Sequence, residues 1–171
     1  ISNHILFINS HIHDGTDSRF TGVETVNKKT HYDLVNKFIK KIENVTSKQV
    51  IISGHPKYEN DYDNLFHNKK IYFNENKYLI ENAESVLVFD STAIYYAIYK
   101  YKKIIFLYSN EIIKCSSKIN NKYESIRLHS ELIDTKLINM NNFNSLTNQI
   151  TNFQINKPEY NLFIKKYLYD D

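Results

Sequence analysis

The chain has 171 residues and a formal net charge of +3, from 22 Lys and Arg against 19 Asp and Glu. That is enough chain for one domain with a substantial core, and the small basic excess is scattered, without the dense Lys/Arg block that would argue for a nucleic-acid partner. The single cysteine, Cys115, excludes an intramolecular disulfide and a multi-cysteine metal site and fits a reducing compartment; no apolar run approaches the ~20 residues of a membrane span and no secretory pattern opens the chain, so the expected location is the cytoplasm.

In chain order, His4 to Asn9 reads as a first strand, apolar enough to be central. A polar loop of about 20 residues follows it to Lys29, a length that usually signals function or mobility. From Thr30 the pattern is helical, with Leu34, Phe38, Ile39 and Ile42 on one face and Lys37, Lys40, Lys41 and Glu43 on the other. Val50 to Ser53 is a second strand, ended by Gly54-His55-Pro56, because proline cannot continue a ladder and holds His55 extended. Residues 57–70 read as loop, Ile71 to Phe73 as a short edge strand, and Lys77 to Ala83 as a turn or two of helix. The apolar run from Ser85 to Phe89 is a buried strand, and Asp90, Ser91 and Thr92 are all good residues to open the helix that follows. Ile104 to Tyr108 is the next strand, then a Ser109-Asn110-Glu111 loop. A helix around 123–134, a brief strand at Leu137-Ile138, and helices near 144–153 and 158–168 complete the chain. The expected fold is a single α/β, Rossmann-like, three-layer domain over residues 1–171, with a mostly parallel sheet of about five strands.

In such a sheet, the loops leaving the carboxyl ends of the strands share one rim, and ligands bind there. Four of these loops carry polar groups: His11, His13 and Asp14; His55; Asp90, Ser91 and Thr92; and Ser109, Asn110 and Glu111. A histidine opposite a helix start could hold a phosphate, the imidazole donating to one oxygen and the helix end binding the others. The plainer alternatives are that Ser91 or Thr92 only caps its helix and that His55 is only a polar loop residue. His11 and His13 would alternate across a strand with no third ligand in sight, so no metal is expected. With three glycines, none near a helix start, a standard dinucleotide or P-loop site is not expected, and no G-x-S-x-G elbow is present.

Val50 to Lys57, Asn76 to Val88, Ser91-Thr92-Ala93 through Ala97, and Lys102 to Leu107, in that order, resemble the C-terminal half of GT-B glycosyltransferases. The likeness is to bacterial surface-polysaccharide enzymes of the sialyltransferase-like and Kdo-transferase-like kind, in which a strand ends in His-Pro and a Ser-Thr pair opens a later helix. It covers about residues 50–111, with a looser echo from His4. The resemblance implies a nucleotide-sugar donor, CMP-linked, used without metal or other cofactor by an inverting transferase of capsular or surface polysaccharide synthesis. His55 would act on the donor phosphate as the catalytic residue, with Ser91 and Thr92 binding the same phosphate; Pro56, Lys57, Glu111 and His11 are further donor-binding candidates.

In such enzymes the general base and most contacts to the glycan or glycolipid acceptor come from an N-terminal half. This chain, which opens on Ile1, is therefore expected to be a donor-binding half truncated from a two-domain protein, inactive alone and peripheral to the inner face of the membrane when complete. Two alternatives stand beside it: a teichoic-acid-type enzyme using CDP-glycerol, and a non-catalytic nucleotide-binding or interaction domain whose aromatic last helix covers a partner.

Overall fold

A computed structural model describes residues 3–10, 12, 26–62, 64–67, 69–116, 121–142, 150 and 152–168. Six strands form one sheet: β1 (His4–Ile8), β2 (Val50–Ser53), β3 (Ile71–Tyr72), β4 (Ala83–Val88), β5 (Lys103–Tyr108) and β6 (Lys136–Asn139). Their order is β3-β2-β1-β4-β5-β6, and every pairing is parallel. This is the Rossmann-like order, in which the sheet is built outward in both directions from its first strand. Each of the six overlaps a segment expected to be a strand, the short outer β3 and β6 included, so the sheet has one strand more than the expected five or so.

Burial follows strand position. All residues of β1 and β2 are buried, β4 and β5 are buried through their centres, and β3 and β6 are only partly covered. Apolar residues on both faces of the inner strands require cover on both faces, and the connecting helices supply it. Six of these helices are α1 (Lys28–Thr46), α2 (Asn76–Asn82), α3 (Ala93–Tyr99), α4 (Asn110–Cys115), α5 (Lys122–Leu132) and α6 (Lys157–Tyr167).

Helix α1 starts two residues earlier than its apolar pattern, because the Asn27 side chain accepts from the Thr30 N–H at 3.0 Å and caps it. It buries Val35, Phe38, Ile39 and Ile42, while Leu34, expected on the buried face, is only partly covered. The expected Ser109-Asn110-Glu111 loop is instead the start of α4. Ser109 accepts from the Ile112 N–H at 3.2 Å and Glu111 stands in the first turn, a cap followed by an acidic residue that favours helix over loop. Residues 57–70 also hold more structure than a loop, since a 3₁₀ segment runs from Pro56 to Asp61. The helix expected near 144–153 lies almost wholly outside the described residues.

On the far side of the sheet from α1, α6 packs against α3, with the rings of Tyr95 and Phe163 at 5.9 Å. Buried Tyr160 donates its hydroxyl to the Lys102 carbonyl at 2.9 Å, and burial pushes that phenol well above its ordinary range. The Lys102 amine donates to the Glu81 and Ala83 carbonyls at 2.7 and 2.9 Å, closing the C-terminal end of α2. Among the described residues no helix is long and apolar enough to cross a membrane.

His4, at the start of β1, is 3% exposed. Burial lowers its pKa from the usual 6.5; the nearby Lys102 amine acts in the same direction and the Leu79 backbone opposes it. The unfolded chain therefore accepts a proton that the folded one refuses, so stability is full above pH 6.5 and falls as the pH drops through and below that value. Thermal unfolding between pH 7.5 and 5 should give a smaller acid-side loss for His4→Leu than for the native chain. Equal losses would mean that His4 does not contribute.

Candidate functional site

The strand order reverses between β1, which continues to β2, and β4, which continues to β5. In sheets of this order the loops leaving the carboxyl ends of the strands diverge at that point, and the crevice between them is where ligands bind. On one side stands the Asp90-Ser91-Thr92 turn after β4, and on the other Asn9 and Ser10 after β1, with Gly54 and His55 after β2 one strand further out. His55 and the Ser91-Thr92 pair thus share one edge of the sheet but do not follow neighbouring strands. The end of β1 lies between them, a separation of two strand spacings or about 10 Å between strand axes. A ligand touching both must lie over the end of β1.

His55 is exposed and extended, with φ −79° and ψ 123°, as the following proline requires. Its Nδ1 accepts from the Lys57 backbone N–H at 3.2 Å. An accepting Nδ1 places the proton of the neutral ring on Nε2, which makes Nε2–H a donor toward solvent or a ligand. The His55 backbone N–H donates to the Tyr62 hydroxyl at 2.7 Å, and the Tyr58 N–H returns to the His55 carbonyl at 3.0 Å. Gly54 leaves no room for a side chain: a Cβ there would stand 2.4 Å from Phe73 Cε1 and 2.9 Å from Ile71 Cγ2. Pro56 and Lys57 are exposed beside His55, and the Lys57 amine lies 5.4 Å from the centre of the Tyr58 ring.

Ser91 Oγ accepts from the Ala93 N–H at 3.3 Å, a local bond that leaves the hydroxyl proton to donate elsewhere. Thr92 is exposed, and its hydroxyl makes no hydrogen bond among the described residues. Helix α3 spans only seven residues, so hydroxyl groups rather than a helix dipole are the main donors here. The turn is braced from α5: Ser125 Oγ donates to Asp90 Oδ2 at 3.3 Å, and His129 Nδ1, 4.0 Å from Asp90 Oδ1, donates to the Ser125 carbonyl at 2.9 Å.

The other candidates fall differently. Glu111 Oε1 accepts from the Asn27 backbone N–H at 2.9 Å, tying the start of α4 to the start of α1. Asn110 Oδ1 accepts from Asn139 Nδ2 at the end of β6 at 2.8 Å, and the Asn110 N–H donates to Asn141 Oδ1 just beyond it at 2.9 Å. The β5 loop is thus engaged in holding neighbouring loops. His11, with His13 and Asp14, lies outside the described residues. Among the described residues no group of three or more His, Cys, Asp or Glu could hold a metal ion. A groove of about 800 Å³ opens at the opposite, amino-terminal edge of the sheet, lined by Glu84, Lys100, Lys102, Lys103 and Lys157 among others. It is remote from His55, and two of its amines are committed, Lys102 to carbonyls and Lys100 to Glu81 at 3.0 Å.

Three polar residues near His55 escape a reading of the sequence. Asn9 is 2% exposed and donates through Nδ2 to the hydroxyls of Tyr32 and Tyr62, at 2.9 and 3.1 Å. The only sign of it in the sequence is an amide closing an apolar strand; Tyr32 and Tyr62 carry no sign, since tyrosine is abundant throughout.

Gly54→Ala should lower stability by about 1–3 kcal/mol, because the ring of Phe73 must move. Urea denaturation measures it, and a variant as stable as the native chain would show that the strand end yields without cost.

No family model matches the chain, and neither does any curated protein. Among solved structures, it is similar to the UDP-GlcNAc 2-epimerase of Methanocaldococcus jannaschii, solved in complex with UDP-GlcNAc and UDP, with a TM-score of 0.51 and 17% sequence identity. The match covers 99% of this chain and 46% of that one. At this identity the likeness concerns the fold: the chain has the architecture of one Rossmann-like half of a GT-B-like protein.

Proposed function

We propose that the chain is the donor-binding half of a nucleotide-sugar-dependent glycosyltransferase, with the donor phosphate lying over the end of β1. The observation that carries this reading is the arrangement of donors around the crevice. His55 follows β2 on one side of β1, with its Nδ1 accepting from the Lys57 N–H, and Ser91 and Thr92 follow β4 on the other. Charge-assisted hydrogen bonds of this kind suit a phosphate whose negative charge grows as the bond to the sugar breaks. The order of the His-Pro and Ser-Thr motifs supports the reading, and so does a fold shared with a protein solved with UDP-GlcNAc and UDP.

In the proposed reaction an acceptor hydroxyl on a glycan or glycolipid attacks the anomeric carbon. A base supplied by a second, N-terminal domain takes its proton, and the nucleotide leaves toward His55. CMP is the proposed nucleotide, surface or capsular polysaccharide the proposed product, and the inner face of the membrane the proposed site of action of the complete enzyme. Lys57, two residues after His55, is the proposed source of a further positive charge near the donor.

Calorimetric titration with CMP, CDP and UDP tests the reading. His55→Ala should weaken binding of the preferred nucleotide by about 10- to 100-fold, the worth of one hydrogen bond to a charged group, with little change in melting temperature because His55 is exposed. Full affinity in the variant, or no binding by the native chain, would overturn it. Preference for CDP over both CMP and UDP would favour the CDP-glycerol alternative.

A further inference from the structure

Buried hydrogen bonds join the backbone of His55 to the end of the central strand. Asn9 closes the central strand and is 2% exposed, and Tyr62 follows the 3₁₀ segment and is 4% exposed. The segment from Pro56 to Asp61 turns the chain back so that the Tyr62 hydroxyl meets the backbone of the histidine that precedes it. That hydroxyl accepts twice, from the His55 N–H at 2.7 Å and from Asn9 Nδ2 at 3.1 Å, which fills its two lone pairs. Asn9 donates its second amide hydrogen to Tyr32 at 2.9 Å, and its own N–H continues the β1–β2 ladder to the Ser53 carbonyl at 2.9 Å.

Packing alone does not call for these polar atoms. The Tyr62 ring stacks on Phe66 at 6.2 Å and meets the edge of Phe73 at 5.2 Å, contacts that phenylalanine would also make. The amide is the more costly group, since Asn9 Oδ1 is buried with no hydrogen-bond partner among the described residues. A buried amide with one atom unsatisfied among the described residues, in a network that ends on the backbone of His55, indicates a task other than filling space.

We propose that Asn9 and Tyr62 are positioning residues for His55: the Tyr62 hydroxyl, held in place by the Asn9 amide, fixes the backbone of the strand end while the Lys57 N–H fixes the ring, so that Nε2–H is aimed over the end of β1. This rests on the donor-phosphate reading of His55. Neither residue touches the ligand; each acts through the histidine. Orienting a donor before the ligand arrives strengthens binding by reducing the ordering left to be done on association.

A double-mutant cycle on the whole chain tests the proposal, with CMP and UDP as the titrated nucleotides and the ¹⁵N imidazole spectrum of His55 as a second readout. Tyr62→Phe keeps the ring and removes the hydroxyl. It should weaken nucleotide binding roughly tenfold in the native background, and less than about twofold once His55 is already Ala, because residues that act as a unit are not additive. The ¹⁵N spectrum should show the Nε2–H form in the native chain and a mixture of both neutral forms in Tyr62→Phe, because a strand end no longer held by the Tyr62 hydroxyl does not keep Nδ1 in line with the Lys57 N–H. If Tyr62→Phe does not fold, Asn9→Ser, which leaves both tyrosines, takes its place and is expected to show the same dependence on His55. Equal losses in the two backgrounds would overturn positioning, and so would an unchanged ¹⁵N spectrum. Loss of binding in His55→Ala with none in Tyr62→Phe would overturn positioning and leave the donor site standing. No loss in His55→Ala would remove the donor-site reading, and the positioning role with it.

Discussion

The architecture depends on β1 being buried on both faces and paired on both edges. It takes β2 on one side, through Ile5 to Ile8, and β4 on the other, with no residue exposed to solvent. A parallel strand in that position needs helices above and below, which forces the chain into crossover units and a three-layer form. Since the sheet grows outward from β1 in both directions, the chain leaves its centre twice in opposite senses, and the crevice between those departures is where such folds bind ligands.

The same constraint determines how His55 and the Ser91-Thr92 pair relate to each other. Each motif ends an inner strand, and each is held by local bonds: Lys57 N–H to the imidazole, Ala93 N–H to the Ser91 hydroxyl. Their spatial relation is not local. It is set by β1 standing between their strands, with Asn9 at its end joined to Tyr62 and through it to the backbone of His55. The central strand and one flank of the candidate site are therefore one hydrogen-bonded unit. The other flank has its own brace, from Ser125 and His129 on α5 to Asp90.

Other polar groups on the rim hold loops together. Ser109 caps α4, Asn110 binds the end of β6 and the residue two beyond it, and Glu111 binds the backbone of Asn27. Loops at the carboxyl edge of a sheet must satisfy their own exposed backbone groups as well as serve a ligand. A polar residue in such a loop can serve either need, and only its partners reveal which one it meets.

The sequence by itself determined the elements whose signals are short-range: four apolar inner strands, the proline-enforced turn at His55, the amphipathic face of α1, and the hydroxyl pair before α3. Periodicity, caps and proline geometry act within a few residues, so a linear reading finds them. The cap that makes α4 a helix was also present, in Ser109 and Glu111, but the polar run around it resembles a loop. Tertiary structure alone decided the strand order, which interposes β1 between the two halves of the candidate site, and the partners of Asn9, Tyr62 and Glu111. Asn9 bonds a residue 53 positions away, and Glu111 one 84 positions away. Contacts at such separation are selected by the whole packing of the chain, and no local pattern encodes them.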